Sequence, residues 1–184
     1  GFVESKRMRG YFGIGVERFS KPANAGNLFR TAHAFGAGFL FTIASDINPG
    51  NIASDTSESW REVPFYSFAS PTAMELPQGC SLVGVELSDQ AVELPSFRHP
   101  RSAAYVLGAE RYSLSPELVE RCHHVVRIPT RFSLNVATAG AIVMYDRLIA
   151  QGRFAGRPVA LGGAPQELAP HVRGEPVRRR RGPA

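Results

Sequence analysis

Ile128-Pro129-Thr130-Arg131-Phe132-Ser133-Leu134-Asn135-Val136-Ala137 joins two kinds of apolar pattern. Before it, Val125–Ile128 is a short run apolar on both faces, as a strand buried between helix layers should be. Pro129 forces an extended turn, so the strand ends there. From Ser133 to Gln151 apolar residues recur at helical spacing, and Gly152 marks the stop. Ser133 is the expected cap of this helix, which leaves free backbone N–H groups and a positive dipole end beside the turn.

The same alternation runs through the rest of the chain. Further strands are expected at Tyr11–Val16, Phe39–Ala44, Leu82–Val85 and Ala104–Leu107. A helix should begin near Asn24 and stop before Gly36-Ala37-Gly38. A short one should follow Ser115-Pro116-Glu117, with Ser115 as cap and Pro116 at the first helical position. Residues 46–62 and 88–101 read as loops. Strands alternating with helices mean an α/β fold, a mostly parallel sheet flanked by helices. The long helix has two apolar faces. Leu134, Ala137, Ala141, Met144, Tyr145 and Leu148 form one, and the smaller Val136, Ala139, Gly140 and Val143 form the other. One face is expected to cover the sheet and the small-residue face to admit a second subunit closely. The alternative is a helix sandwiched within one chain.

The chain has 184 residues, 43% of them hydrophobic and 20% charged, enough apolar surface for a real core and too much for disorder throughout. No apolar run reaches the roughly 18 residues of a membrane span, so no membrane partner is expected. Lys6, Arg7 and Arg9 lead into no apolar stretch, so no signal peptide is read. Cys80 and Cys122 lie outside any CxxC pair, which argues for a reducing, cytoplasmic setting without a disulfide framework or structural zinc. The formal charge of +5 resides wholly in residues 151–184, which carry seven Arg, two Glu, five Pro and six Gly and end in Arg178-Arg179-Arg180-Arg181. Residues 1–152 therefore read as one domain and 153–184 as a Pro/Gly/Arg-rich tail, either a phosphate-attracting arm or a solvated terminus.

Three segments at strand ends or helix starts could carry chemistry, because open α/β sheets place ligands there. In Lys21–Arg30 the core stripe is Leu28, Ala32 and Phe35, and Arg30 stands roughly 200° around the helix from Leu28, free to address a ligand. Ala104–Glu110 is a strand running into Gly108 and an acid, and the glycine permits close approach to the backbone. The third segment is the Ile128–Ala137 turn itself.

In this order and spacing the segments resemble the SPOUT superfamily of RNA methyltransferases, specifically the TrmH-type (SpoU) ribose 2′-O-methyltransferases. The matching pieces are Asn24-x-Gly26-x-x-x-Arg30, Leu107-Gly108-Ala109-Glu110 with Leu114-Ser115, and Ile128-Pro129 with Ser133-Leu134-Asn135-Val136, within residues 11–150. The resemblance implies a C-terminal deep trefoil knot that forms an S-adenosylmethionine pocket, a homodimer, and RNA as partner, tRNA first and rRNA second. By matching position, the cofactor contacts fall on Leu107, Gly108, Ile128 and Leu134. Glu86, at the end of the Leu82–Val85 strand, lines the same pocket by position. The active-site positions fall on Asn24, Arg30, Glu110, Ser133 and Asn135. No metal is implied, and no His/Cys/Asp cluster has ligand spacing. Relatives often carry further glycines after the acid, where this chain has Arg111 and Ser113, and the turn before Ser133 is short.

The implied reaction is S-adenosylmethionine-dependent methyl transfer to a ribose 2′-hydroxyl of tRNA or rRNA. One rival is a catalytically silent RNA-binding protein on the same fold, against which the intact Asn24 and Arg30 speak. Another is a nicotinamide-dependent oxidoreductase, prompted by Gly13-x-Gly15 after a strand start. There Arg18 occupies the place of the third glycine, and Lys21-Pro22 follows too soon. No GxSxG elbow points to a hydrolase.

Overall fold

β1 (Tyr11–Glu17) is the strand around which the sheet is arranged. Phe12, Ile14 and Val16 face a layer of helices, and the two glycines between them serve the opposite face. A Cβ on Gly13 or Gly15 would run into the rings of Phe39 and Phe41, so this Gly-x-Gly accommodates aromatic packing. The computed structural model describes residues 10–47, 62–109 and 113–167. Within them β2 (Phe39–Ile43), β3 (Phe65–Phe68), β4 (Ser81–Val85), β5 (Val92–Glu93), β6 (Ser102–Gly108) and β7 (His124–Arg127) complete a seven-stranded sheet. Its order is β3-β2-β1-β6-β4-β7-β5, and every pairing is parallel.

All five expected strands are present. β3 and β5 are additions, the second lying in a stretch that reads as loop and continuing into a 3-10 turn at Leu94–Ser96. Of the other expected loop, residues 48–61 lie outside the described residues.

α1 (Pro22–Ala34) starts two residues before Asn24, because Pro22 already has the fixed φ a first helical turn needs. It stops where Gly36 takes φ +83° and its N–H reaches the His33 carbonyl. α2 (Pro116–Arg121) begins as expected, with the Ser115 hydroxyl accepting from the Leu118 N–H. α3 (Val136–Gln151) corrects the sequence reading at its start. Its cap is Asn135, whose Oδ1 accepts from the Ala137 N–H at 2.9 Å, and Ser133 belongs to the turn before it. An amide oxygen reaches the first-turn donors as well as a hydroxyl does, and the turn stays extended for two residues longer.

α1 and α3 lie on one face of the sheet, with Leu28, Phe29, Val143 and Met144 in a common core. Leu114, Leu118 and Met74 pack on Phe39, Phe41 and Leu82 in a second cluster. The small-residue face of α3 does not await another subunit. Gly140 sits where a Cβ would collide with Leu28 of α1, so this face is used inside the chain. Any side chain there would overpack the helix pair, at a cost of roughly 1–3 kcal/mol. Ile142, Tyr145 and Ile149 are the large apolar side chains that α3 leaves exposed.

At the amino edge of the sheet, Arg147 is 1% exposed. Its Nη1 donates to the Pro100 carbonyl and the Tyr105 hydroxyl, and its Nη2 to the Arg101 and Tyr11 carbonyls. The guanidinium also lies 5.4 Å from the Phe12 ring centre. His99 bridges the Tyr105 hydroxyl at 2.7 Å and Asp146 Oδ2 at 2.6 Å.

The first compact unit ends at Gly152 and a second starts at Arg153. In the second, Gly156 and Gln166 form an antiparallel bridge, with a turn at Gly162. Residues 168–184, including Arg178–Arg181, lie outside the described residues, as do Lys6, Arg7 and Arg9.

Candidate active site

β6, β4 and β7 end side by side, and a cavity of about 210 Å³ opens beyond their carboxyl ends. Three separated segments wall it. The first is Val85, Glu86 and Leu87 after β4. The second is Leu107, Gly108 and Ala109 at the end of β6, with Ser113. The third is Ile128, Thr130, Ser133 and Leu134, continued by Val136 and Ala139 of α3. Glu86, Leu107, Gly108, Ile128 and Leu134 therefore meet in one place, and Ser133 joins them.

The walls mix apolar surface with a few polar groups, as small-molecule sites do. Burial pushes the Glu86 carboxyl above its ordinary pKa; a Ser113 hydrogen bond opposes that shift and the nearby Glu17 charge adds to it. The Glu86 backbone N–H is tied to the Val126 carbonyl at 3.0 Å, which fixes the residue across the β4–β7 step. The Thr130 N–H donates to the Ile128 carbonyl and its hydroxyl to the Phe132 carbonyl, so the short turn after β7 is internally braced.

A set of residues that motif reading passed over holds the second wall in place. Glu17, the last residue of β1, is 1% exposed and pairs in register with Gly108. Its carboxylate accepts from the Ser115 N–H at 2.7 Å and the Ser115 hydroxyl at 2.5 Å. Arg18, in the left-handed region at φ 53°, donates from Nη2 to the Ser113 carbonyl at 2.8 Å. The end of β1 thus grips the loop after β6 at two points. An acid closing an otherwise apolar strand was the available signal, one residue past the expected strand end.

The other expected residues sit apart from the cavity lining. Arg30 is exposed on the outer side of α1, away from buried Leu28 and Ala32, and Asn24 is half-buried near the start of that helix. α1 packs against α3, whose first turns supply Val136 and Ala139 to the cavity. Asn135 caps α3. Glu110 lies outside the described residues. Among the described residues no group of three His, Cys, Asp or Glu side chains could hold a metal ion, and no helix is long and apolar enough to cross a membrane.

A family model described as the SpoU rRNA Methylase family matches residues 12–145, a span that includes every cavity-lining residue. The chain belongs to the SpoU family. Among curated relatives, the tRNA (guanosine(18)-2'-O)-methyltransferase of Escherichia coli (strain K12) is 26% identical over 137 residues, 71% of this chain and 60% of that protein. The Mus musculus protein tRNA (guanosine(18)-2'-O)-methyltransferase TARBP1 is 29% identical over 136 residues, 68% of this chain and 8% of its own length. This SpoU chain thus spans only part of the curated relatives it matches. Among solved structures, the AdoMet-bound rRNA methyltransferase from Sinorhizobium meliloti superposes with TM-score 0.64 at 21% identity, covering 77% of this chain and 57% of that one. The parallel sheet with flanking helices is therefore the fold that this chain shares with that solved rRNA methyltransferase.

Proposed function

We propose that this chain transfers a methyl group from S-adenosylmethionine to a ribose 2′-hydroxyl of RNA, with tRNA the first candidate substrate and rRNA the second. The observation that carries this reading is the convergence of three distant motif segments on one cavity at the carboxyl edge of the sheet. The residues fit such a cofactor. Val85, Leu107, Ile128 and Leu134 offer apolar surface to a flat base, and the Glu86 carboxyl can accept hydrogen bonds from hydroxyl groups. When bound, the cofactor supplies an electrophilic methyl on a sulfonium. A ribose hydroxyl attacks poorly until its proton departs, so the chain must align it and ease that departure.

Arg30 is the residue assigned to this task. A guanidinium has a pKa above about 12 and stays protonated, which makes it a poor base but a strong electrostatic aid. Arg30 holds the substrate phosphate and lowers the pKa of the hydroxyl, whose proton leaves to phosphate or water. Asn24, Ser133 and Asn135 orient Arg30 and the ribose, and Glu110 anchors Arg30 or a nearby loop. The reading includes a cytoplasmic homodimer, for which exposed Ile142, Tyr145 and Ile149 on α3 offer an apolar face. It also includes a knotted C-terminal segment, supported by the way residues between 128 and 139 share one cavity with 85–87, 107–109 and Ser113.

Mapping ribose methylation in RNA from cells with and without the protein tests the reading. A methylated ribose that disappears with the protein is the expected result. Identical maps, together with no heat of S-adenosylmethionine binding by calorimetry, would leave a silent RNA-binding protein in its place.

A further inference from the structure

Phe132 is 79% exposed, while no other large apolar side chain among the described residues of the first unit exceeds 53%. Lone apolar residues on a surface are ordinary. The position of this one is not. Its carbonyl is held by the Thr130 hydroxyl at 2.7 Å, and Thr130 is itself tied to Ile128. Thr130 and the next residue, Ser133, both line the cavity. Arg131 beside it is an exposed cation. An aromatic ring on a braced turn at the mouth of a cavity, next to a guanidinium, combines the two groups that read single-stranded nucleic acid: a stacking surface and a phosphate partner.

We propose that Phe132 is the platform on which an unpaired nucleobase of the substrate RNA stacks, beside the ribose entering the cavity, with Arg131 meeting an adjacent phosphate. This rests on the RNA-methylation reading above. Only an unstacked base has a free face to offer, so the ring favours loops and ends over duplex. The braced backbone lets the ring accept a base without first ordering the turn.

The test uses Phe132→Ala, Phe132→Leu and Phe132→Trp, with methyl transfer from labelled S-adenosylmethionine to total RNA from cells lacking the protein. Phe132→Ala and Phe132→Leu should each raise the KM for RNA roughly 10-fold or more. Phe132→Trp should restore it, because the indole keeps a π-face. Cofactor affinity by calorimetry should stay within about twofold, and the thermal midpoint should not move, since the ring is in solvent. An unchanged KM in Phe132→Ala with an active wild type overturns the stacking role alone. Leucine serving as well as phenylalanine, or loss of a dimer in Phe132→Ala by sedimentation, also overturns it. A wild type that binds the cofactor and methylates no RNA defeats the RNA reading itself.

Discussion

At the amino edge of the sheet, Arg147, His99, Tyr105 and Asp146 spend their hydrogen bonds on one another and on the carbonyls of Tyr11, Pro100 and Arg101. At the carboxyl edge, Glu86, Thr130 and Ser133 border a cavity. Both sets are polar groups at strand ends of one parallel sheet. The first is closed on itself, with the Arg147 Nε as its one unpartnered nitrogen, and so it fastens α3 to the strand starts. The second keeps bonding capacity in hand for something that arrives. A buried polar group whose partners are all protein argues for stability, and one facing a void argues for a ligand.

The largest expected effect breaks the closed edge. Arg147→Met would remove four hydrogen bonds from a buried guanidinium, leaving the Pro100 carbonyl to Gln151, the Arg101 carbonyl to the Tyr11 N–H and the Tyr105 hydroxyl to His99. It should cost about 3–5 kcal/mol, since each bond to a charged group is worth roughly 1.5–3 kcal/mol. That is a large part of a typical folding free energy of 5–15 kcal/mol. Urea denaturation followed by circular dichroism measures it. Cofactor affinity of the folded protein at low temperature should be unchanged. A shift below about 1 kcal/mol would mean that water replaces the guanidinium and that this edge is open after all.

Arg30→Ala should do the reverse. The side chain is exposed, so the urea midpoint should hold. Turnover on RNA should fall roughly 100-fold or more, the scale of losing one electrostatic stabiliser of the transition state. Calorimetry should still find the cofactor bound. A variant that retains a near-normal rate removes Arg30 from the mechanism and leaves the cavity without its expected cation.

How legible this was from sequence differs between the same two edges. Strand positions were readable because buried parallel strands are continuous apolar runs, and Tyr11–Val16 and Ala104–Leu107 stand out as such. β3 was missed because Phe65-Tyr66-Ser67-Phe68 is an edge strand with exposed Tyr66, without the two-sided apolar run. The capping residue was misread because Ser133 and Asn135 are both good caps, and only the course of the turn decides between them. The α3 faces were misassigned because small residues permit close approach by any helix, and α1 of the same chain arrived first. The cavity wall could be anticipated from motifs placed at strand ends. The Arg147 network could not, since a lone arginine in a helix carries no sign of the carbonyls that fold will bring to it.

Glu17 sharpens the comparison, because it is as buried as Arg147 yet serves the open edge. Glu17→Gln keeps the shape and loses acceptor capacity toward the Ser115 N–H and hydroxyl. The loop carrying Ser113 then loosens, and cofactor affinity should weaken about 10-fold, or about 1.4 kcal/mol. Ser115→Ala, which removes one of the two donors, should show a smaller loss. Calorimetry on both variants is the check. Full affinity in Glu17→Gln would mean that Arg18 alone holds the loop.

The smallest effect is a pH dependence at the closed edge. Burial holds the His99 pKa below its ordinary 6.5, against the pull of Asp146, and the nearby Arg147 pushes in the same direction as burial. The unfolded chain therefore binds this proton more readily than the folded one as pH falls through about 6.5. His99 thus favours folding above that pH, and the advantage declines below it until the folded ring also protonates. The thermal midpoint of the wild type should drop more between pH 8 and pH 5.5 than that of His99→Gln, in which the ring cannot titrate. Taking this difference between two otherwise identical chains cancels the other histidines and the carboxylates. Equal slopes would mean that Asp146 fully offsets burial, and that the network is neutral to acid while still holding the sheet edge together.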